Sequence, residues 1–183
     1  MLQVDIRRPS MNDTKALNHF FRHVITDTFI KEGIGEKVED IEEEIHSKTK
    51  HLISDLESNG EDHYFLIAEH QGAIIGTIAF GPVNTVILSN TNNDLIDLIE
   101  LGTVFVHPDF QEKGIGNLLL KTMYSSMHQK GIKEFVLDSG YKKAQIIWRK
   151  KFGEPDYLLE DYWDKGYDHM IWRIQINDIC QIE

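Results

Sequence analysis

The chain has 183 residues, 41% of them hydrophobic and 27% charged, the balance of a soluble globular domain able to bury one sizeable core. Lys and Arg number 19 against 30 Asp and Glu, a formal net charge of −11, and there is no long basic run to displace phosphate counterions, so nucleic acid is not an expected partner. No apolar run approaches the ~18 residues of a membrane span and the opening "MLQVDIRRPSMND" has no signal-like stretch, so the expectation is a cytoplasmic protein with no membrane partner.

In chain order, "QVDIRRPS" predicts a short strand in which Val4 and Ile6 alternate with polar neighbours. Ser10 to Asp13 offers N-cap residues for a helix carrying Leu17, Phe20, Phe21, Val24, Ile25 and Phe29 at helical spacing, ended at Gly33 or Gly35. Val38, Ile41, Ile45, Leu52, Ile53 and Leu56 predict a second helix, with Glu42, Glu43 and Glu44 as a solvated face near its N-terminus. Two apolar runs, 64–68 and 73–80, flank a turn at 70–72 and predict a hairpin. Residues 84–97 read as a polar loop with an apolar patch at 86–88, leaving room for a short strand or helical turn.

"LIELGTVFVHP" is apolar on both faces and predicts a central strand. "GIGNLLLKTMYSSMHQKG" predicts a helix with Leu118, Leu119, Met123 and Met127 on its buried side. A strand "KEFVLDSG", a helix "KKAQIIWRKKFG" and two strands, "DYLLEDYW" and "YDHMIWRIQI", complete the order β-α-α-β-β-β-α-β-α-β-β, a mixed α/β arrangement. With no repeat, low-complexity tract or linker, a single domain over 1–183 is expected.

The chemistry concentrates in "HPDFQEKGIGNLLL". A helix start leaves backbone N–H groups unpaired at the positive end of its dipole, and glycines let an anion approach the backbone. Gln111, Glu112, Lys113, Gly114, Ile115, Gly116 and Asn117 follow a strand and open a helix, the setting of a pyrophosphate cradle. A P-loop would need Gly-Lys followed by Ser or Thr, but Asn117 and Leu118 follow the second glycine. A dinucleotide fingerprint would need a third glycine where Leu119 stands. What remains is Gln-x-x-Gly-x-Gly, a pattern that plain turn chemistry also produces.

Together, the strand, the Val-His-Pro break, this turn and the Leu-rich helix closely resemble the acetyl-CoA-binding core of the GNAT N-acetyltransferase superfamily. The order of elements matches over roughly residues 4–176. The resemblance implies an α/β fold with a mixed, mostly antiparallel central sheet of about seven strands flanked by about four helices. It implies direct acetyl transfer from acetyl-CoA to a primary amine in a ternary complex, and often a homodimer. Residues 111–117 would hold the CoA pyrophosphate. The backbone of Val104, Phe105 and Val106 would meet pantetheine and thioester, one N–H polarising the carbonyl.

Glu100, eleven residues before Gln111, is the candidate base, since some family members carry a Glu there. Apolar neighbours Leu98, Ile99 and Leu101 would favour its protonated form and suit base work near neutrality. Asp94 and Asp97 are weaker alternatives, and His107 is expected at the strand end without a catalytic part. The sequence departs from the family at the acid. Many members have Asn, Ala and Tyr in a fixed spacing, the Tyr protonating the CoA sulfur; here those places hold Tyr141, Ala144 and Trp148. Indole does not titrate usefully, so Trp148 either lines the pantetheine slot or packs in the core. Tyr141 is then the candidate acid, ahead of Tyr157, with water as another proton source.

The single Cys180 permits no intramolecular disulfide and no Cys-rich metal site, and is not assigned as a nucleophile; no metal is inferred. Glu36, Glu39, Asp40, Glu42, Glu43, Glu44, Asp94 and Asp97 favour a cationic acceptor, a small-molecule or peptide amine. The competing reading is a non-catalytic acyl-CoA-binding sensor or interaction module.

Overall fold

A computed structural model describes residues 2–179, so Cys180 lies outside the described residues. The elements are β1 (Asp5–Arg7), α1 (Thr14–Lys31), α2 (Val38–Glu57), β2 (Tyr64–His70), β3 (Ala73–Pro82), α3 (Thr85–Asn90), β4 (Ile99–Val106), α4 (Ile115–Gln129), β5 (Glu134–Ser139), α5 (Lys142–Phe152), β6 (Tyr157–Asp164), β7 (Tyr167–Gln175) and α6 (Ile176–Ile179). They fall into two compact units. One runs to Gly81 and adds Thr103–Ser126; the other comprises Pro82–Gly102 and the chain from Met127 on. The first unit orders its strands β1-β2-β3-β4 and the second β4-β5-β7-β6, with Ile99–Gly102 of β4 in the second and Thr103–Val106 in the first. The β1–β2, β2–β3, β5–β7 and β6–β7 pairs are antiparallel and β4–β5 is parallel, so the mixed, mostly antiparallel α/β class is observed.

In the first unit, α1 buries Leu17, Phe20, Phe21, Val24, Ile25 and Phe29, the stripe its spacing predicts. Helix α2 buries Ile41, Ile45 and Leu52, whereas Val38 and Ile53, expected on that stripe, are exposed. The β2–β3 hairpin turns through Gln71 (φ 52°) and Gly72 (φ 79°). Two successive left-handed residues match the right-handed twist of the flanking strands. Gly76 of β3 lies where a Cβ would come 2.9 Å from Leu119 Cδ1, 3.2 Å from the Phe105 carbonyl oxygen and 3.3 Å from Ile115 Cγ2, so the absence of a side chain sets the spacing of β3 to β4 and α4.

Ile115, Leu119, Leu120, Met123 and Met127 of α4 are buried, but Leu118 is 40% exposed, against expectation. The inward stripe follows 115, 119, 123 and 127, one position out of phase with a stripe through 118.

The second unit packs Val83, Ile87, Leu95, Val136 and Ile171 into a cluster covered by Leu88, Leu98, Tyr157 and Leu159. The polar stretch 84–97, expected as a loop with room for a short strand or helical turn, contains α3, capped by the Asn84 side chain, which accepts from the Ile87 N–H at 2.9 Å. Its six residues make too little periodicity to be seen in sequence. The long helices α1, α2, α4 and α5 are the four expected; the short α3 and α6 bring the described total to six. The β4–β5 ladder pairs Ile99 with Phe135 and Glu100 with Val136.

Candidate active site

The first unit builds the glycine turn. The His107 N–H donates to the Ile75 carbonyl at 2.9 Å, closing β4 against β3, and Pro108–Phe110 form a single 3-10 turn. The His107 ring accepts from the Asp109 N–H at 3.3 Å and stacks on His23 at 4.7 Å, so it serves as a cap in this structure. His23 lies four residues after His19, a ligand-like spacing, and its ring stacks on that of His107. The Gln111 side-chain amide donates to the Val106 carbonyl at 3.2 Å, and Lys113 Nζ donates to the Asp109 carbonyl at 2.7 Å. Both long side chains fold back onto the turn and stiffen it.

The backbone then goes left-handed at Glu112 (φ 61°) and Gly114 (φ 83°). The Leu118 N–H to Gly114 carbonyl bond, 3.0 Å, belongs to the first turn of α4, so the amides of Ile115 and Gly116 lie ahead of it at the positive end of the helix. A Cβ on Gly114 would meet nothing within 4 Å, and one on Gly116 only Val106 Cγ2 at 3.9 Å. Internal packing therefore demands neither glycine. Conformation demands Gly114, and Gly116 keeps bare backbone facing open space, as an approaching pyrophosphate would need.

Just before this turn, Thr103 sits in the middle of β4 with φ 54°, a rare conformation for a β-branched residue, costing about 1–3 kcal/mol. The buried Thr77 hydroxyl donates to its carbonyl at 2.9 Å and holds it there. The kink re-aims the backbone of Val104, Phe105 and Val106.

The second unit holds Glu100. Its Oε2 accepts the Asn84 N–H at 2.7 Å. Asn84 Nδ2 donates to Asp138 Oδ2 at 2.9 Å, and the same oxygen lies 2.9 Å from His169 Nε2. His169 Nδ1 accepts from the Trp163 indole N–H at 3.0 Å. Asn84, Asp138, His169 and Trp163 escaped the sequence reading. The only local signal was Asn84 as a cap ahead of an apolar patch.

Tyr141 is half-buried at the N-cap of α5, its N–H donating to Ser139 Oγ at 3.1 Å. Trp148 is buried and stacks on Phe152 with centroids 5.8 Å apart, so packing accounts for it within its own unit. Tyr157 covers the Val136–Ile171 cluster, and Asp94 and Asp97 are exposed ahead of β4. Among the acidic helix residues, Glu42 is bound by Arg22 through both oxygens and Glu44 pairs with Lys48 at 3.4 Å. Among the described residues no three His, Cys, Asp or Glu side chains are grouped to hold a metal. No described helix is long and apolar enough to cross a membrane.

Residues 61–153, just over half the chain, match the model of the acetyltransferase (GNAT) domain, and with the left-handed glycine turn opening α4 this places the chain in the GNAT acetyltransferase family. The fold is shared with solved structures. A GNAT-family protein from Desulfovibrio desulfuricans has a TM-score of 0.71 at 16% identity, over 95% of this chain and 99% of that one. PaiA N-acetyltransferase from Thermoplasma acidophilum, in complex with coenzyme A, has a TM-score of 0.66 at 23% identity, covering 94% and 100%. YncA from Salmonella typhimurium, with its cofactor acetyl-CoA, has a TM-score of 0.65 at 16% identity, covering 95% and 94%. No curated protein matches the sequence.

Proposed function

We propose that the protein transfers the acetyl group of acetyl-CoA to a primary amine by direct attack, with a cationic small molecule or peptide amine as acceptor. The observation that carries this reading is the glycine turn: left-handed backbone at Glu112 and Gly114, open space over Gly114, and helix-start amides at Ile115 and Gly116. The solved relatives that hold coenzyme A and acetyl-CoA support it by fold.

In this reading the amides of residues 111–117 bind the pyrophosphate. The backbone of Val104–Val106, re-aimed by Thr103, meets pantetheine, and one N–H there stabilises the oxyanion. The amine nitrogen attacks the thioester carbonyl, the C–N bond forms as the C–S bond breaks, and Glu100 accepts the amine proton. Tyr141 or water returns a proton to the departing thiolate. Most of the rate comes from aligning the two substrates.

Release of free CoA thiol from acetyl-CoA over a panel of polyamines, aminoglycosides, lysine derivatives and peptide N-termini tests the reading. Glu100→Gln is expected to cut turnover while leaving CoA affinity in place. Saturable CoA binding with no turnover across the panel would instead make the protein a non-catalytic acyl-CoA sensor. Failure to bind CoA at all would refute both.

A further inference from the structure

An indole nitrogen only donates, so the 3.0 Å contact from Trp163 requires His169 Nδ1 to be unprotonated. The ring proton then sits on Nε2 and is donated to Asp138 Oδ2 at 2.9 Å. His169, 5% exposed, is thus a neutral imidazole of fixed tautomer, and Asp138 is held as an acceptor. The same oxygen takes the Asn84 Nδ2 proton, while Asn84 Oδ1 takes the Ile87 N–H. Both ends of the Asn84 amide are committed, and flipping it would set donor against donor and acceptor against acceptor. Capping explains Oδ1 alone, since Ser or Asp would cap α3 as well. Among the good caps the Ser and Thr hydroxyls sit one bond closer to the main chain, so Asn alone caps with one end of its side chain and reaches Asp138 Oδ2 with the other.

We propose that Asn84 is a positioning residue for Glu100, and that neutral His169, acting through Asp138, fixes Asn84 in the orientation that delivers its main-chain N–H to the Glu100 carboxylate. This rests on the reading of Glu100 as the base. A donor 2.7 Å from Oε2 makes a charge-assisted hydrogen bond, fixes the direction of the carboxylate and favours its ionised form. Asp138 from β5 and His169 from β7 are the titratable groups that reach Glu100 through Asn84. The Trp163 end lies against the backbone, since a Cβ on Gly140 would come 2.5 Å from Trp163 Nε1 and 3.4 Å from His169 Nδ1.

The test is a 13C NMR titration of glutamate side-chain carboxyls in the full chain without substrates, with the Glu100 signal assigned by its loss in Glu100→Gln. Asn84→Ser retains a cap, changes no charge and pulls the side chain back by one bond, out of hydrogen-bond reach of Asp138 Oδ2. The Glu100 midpoint is expected to rise by about half a unit or more, because a hydrogen bond to the charged form is weakened. His169→Phe should raise it as well, and His169→Gln, which keeps one donor and one acceptor, should restore it. An unmoved midpoint in folded Asn84→Ser overturns the proposal. If that variant does not fold, equal midpoints in His169→Phe and His169→Gln overturn it. The two readings fail separately: turnover unchanged in Glu100→Gln removes the base but leaves the titration result standing, whereas an unmoved midpoint removes the positioning role alone.

Discussion

The Thr77 hydroxyl donates to the carbonyl of Thr103 at 2.9 Å, and Thr103 is the residue of β4 whose φ, 54°, lies in the left-handed region. A buried side chain on one strand thus holds the rare conformation of its neighbour, next to the backbone assigned to the coenzyme. Thr77→Val removes the bond while keeping the shape. The loss should be about 1 kcal/mol, seen as a lower Tm, together with weaker CoA binding, and Thr77→Ser should retain both. A lower Tm with unchanged CoA affinity would show that the kink does not serve the coenzyme.

Gly114 separates conformation from space. Its φ is 83° and nothing stands within 4 Å of where a Cβ would sit, so Gly114→Ala should cost about 1 kcal/mol from backbone strain alone. Gly114→Glu adds a negative charge where the proposed reading puts the pyrophosphate and should abolish CoA binding in a folded protein. Calorimetric titration with CoA, beside thermal melts of both variants, checks the pair of outcomes.

Gly140→Ala should act on Trp163. A Cβ there would fall 2.5 Å from its indole nitrogen, and the ring is 52% exposed, so it can swing away. Stability should change little, while the Trp163–His169 bond is lost. Trp148 and Trp172 are buried, so added fluorescence quenching by acrylamide would report Trp163. Unchanged quenching would mean that the ring stays in place.

Acid should weaken the protein partly through His51. Burial, followed by the charges of Lys48, His63 and Lys50, pushes this imidazole down to about 4 from an ordinary 6.5. Between those values the unfolded chain binds a proton that the folded chain does not, so the contribution is full above pH 6.5 and is lost as pH falls toward 4. His63, stacked on it at 4.4 Å, is lowered in the same direction by its own burial. His51→Gln should reduce the fall in urea midpoint between pH 7 and pH 5. An equal fall in both proteins would contradict the assignment.

Much of the fold and part of the site are legible in the sequence. The Leu17–Phe29 stripe, the hairpin and the Gln111–Gly116 turn each carry a local signal: a helical period, a pair of turn residues, or two glycines at a helix start. Glu100 enters as the proposed base only through the family resemblance, which can place a Glu at its spacing from Gln111. The network around it is not legible. Asn84 and Asp138 stand 54 positions apart, and Asp138 and His169 stand 31 apart, distances over which no periodicity links side chains. Thr103 leaves no trace, because nothing in "ELGTVFV" tells a Thr in the left-handed region from one in an ordinary strand. Leu118 misleads because three successive leucines fit more than one helix phase.

Gly76 bears on protein engineering. Its missing side chain is what lets Phe105, Ile115 and Leu119 close in, within 3.3 Å of where a Cβ would stand. Strand 103–106 and the start of α4 are therefore gauged against a point on β3 that touches no coenzyme in the proposed reading. Anyone transplanting residues 103–120 into another scaffold as a proposed CoA cradle would have to carry a glycine on the facing strand with it, or Phe105, Ile115 and Leu119 could not close onto that strand.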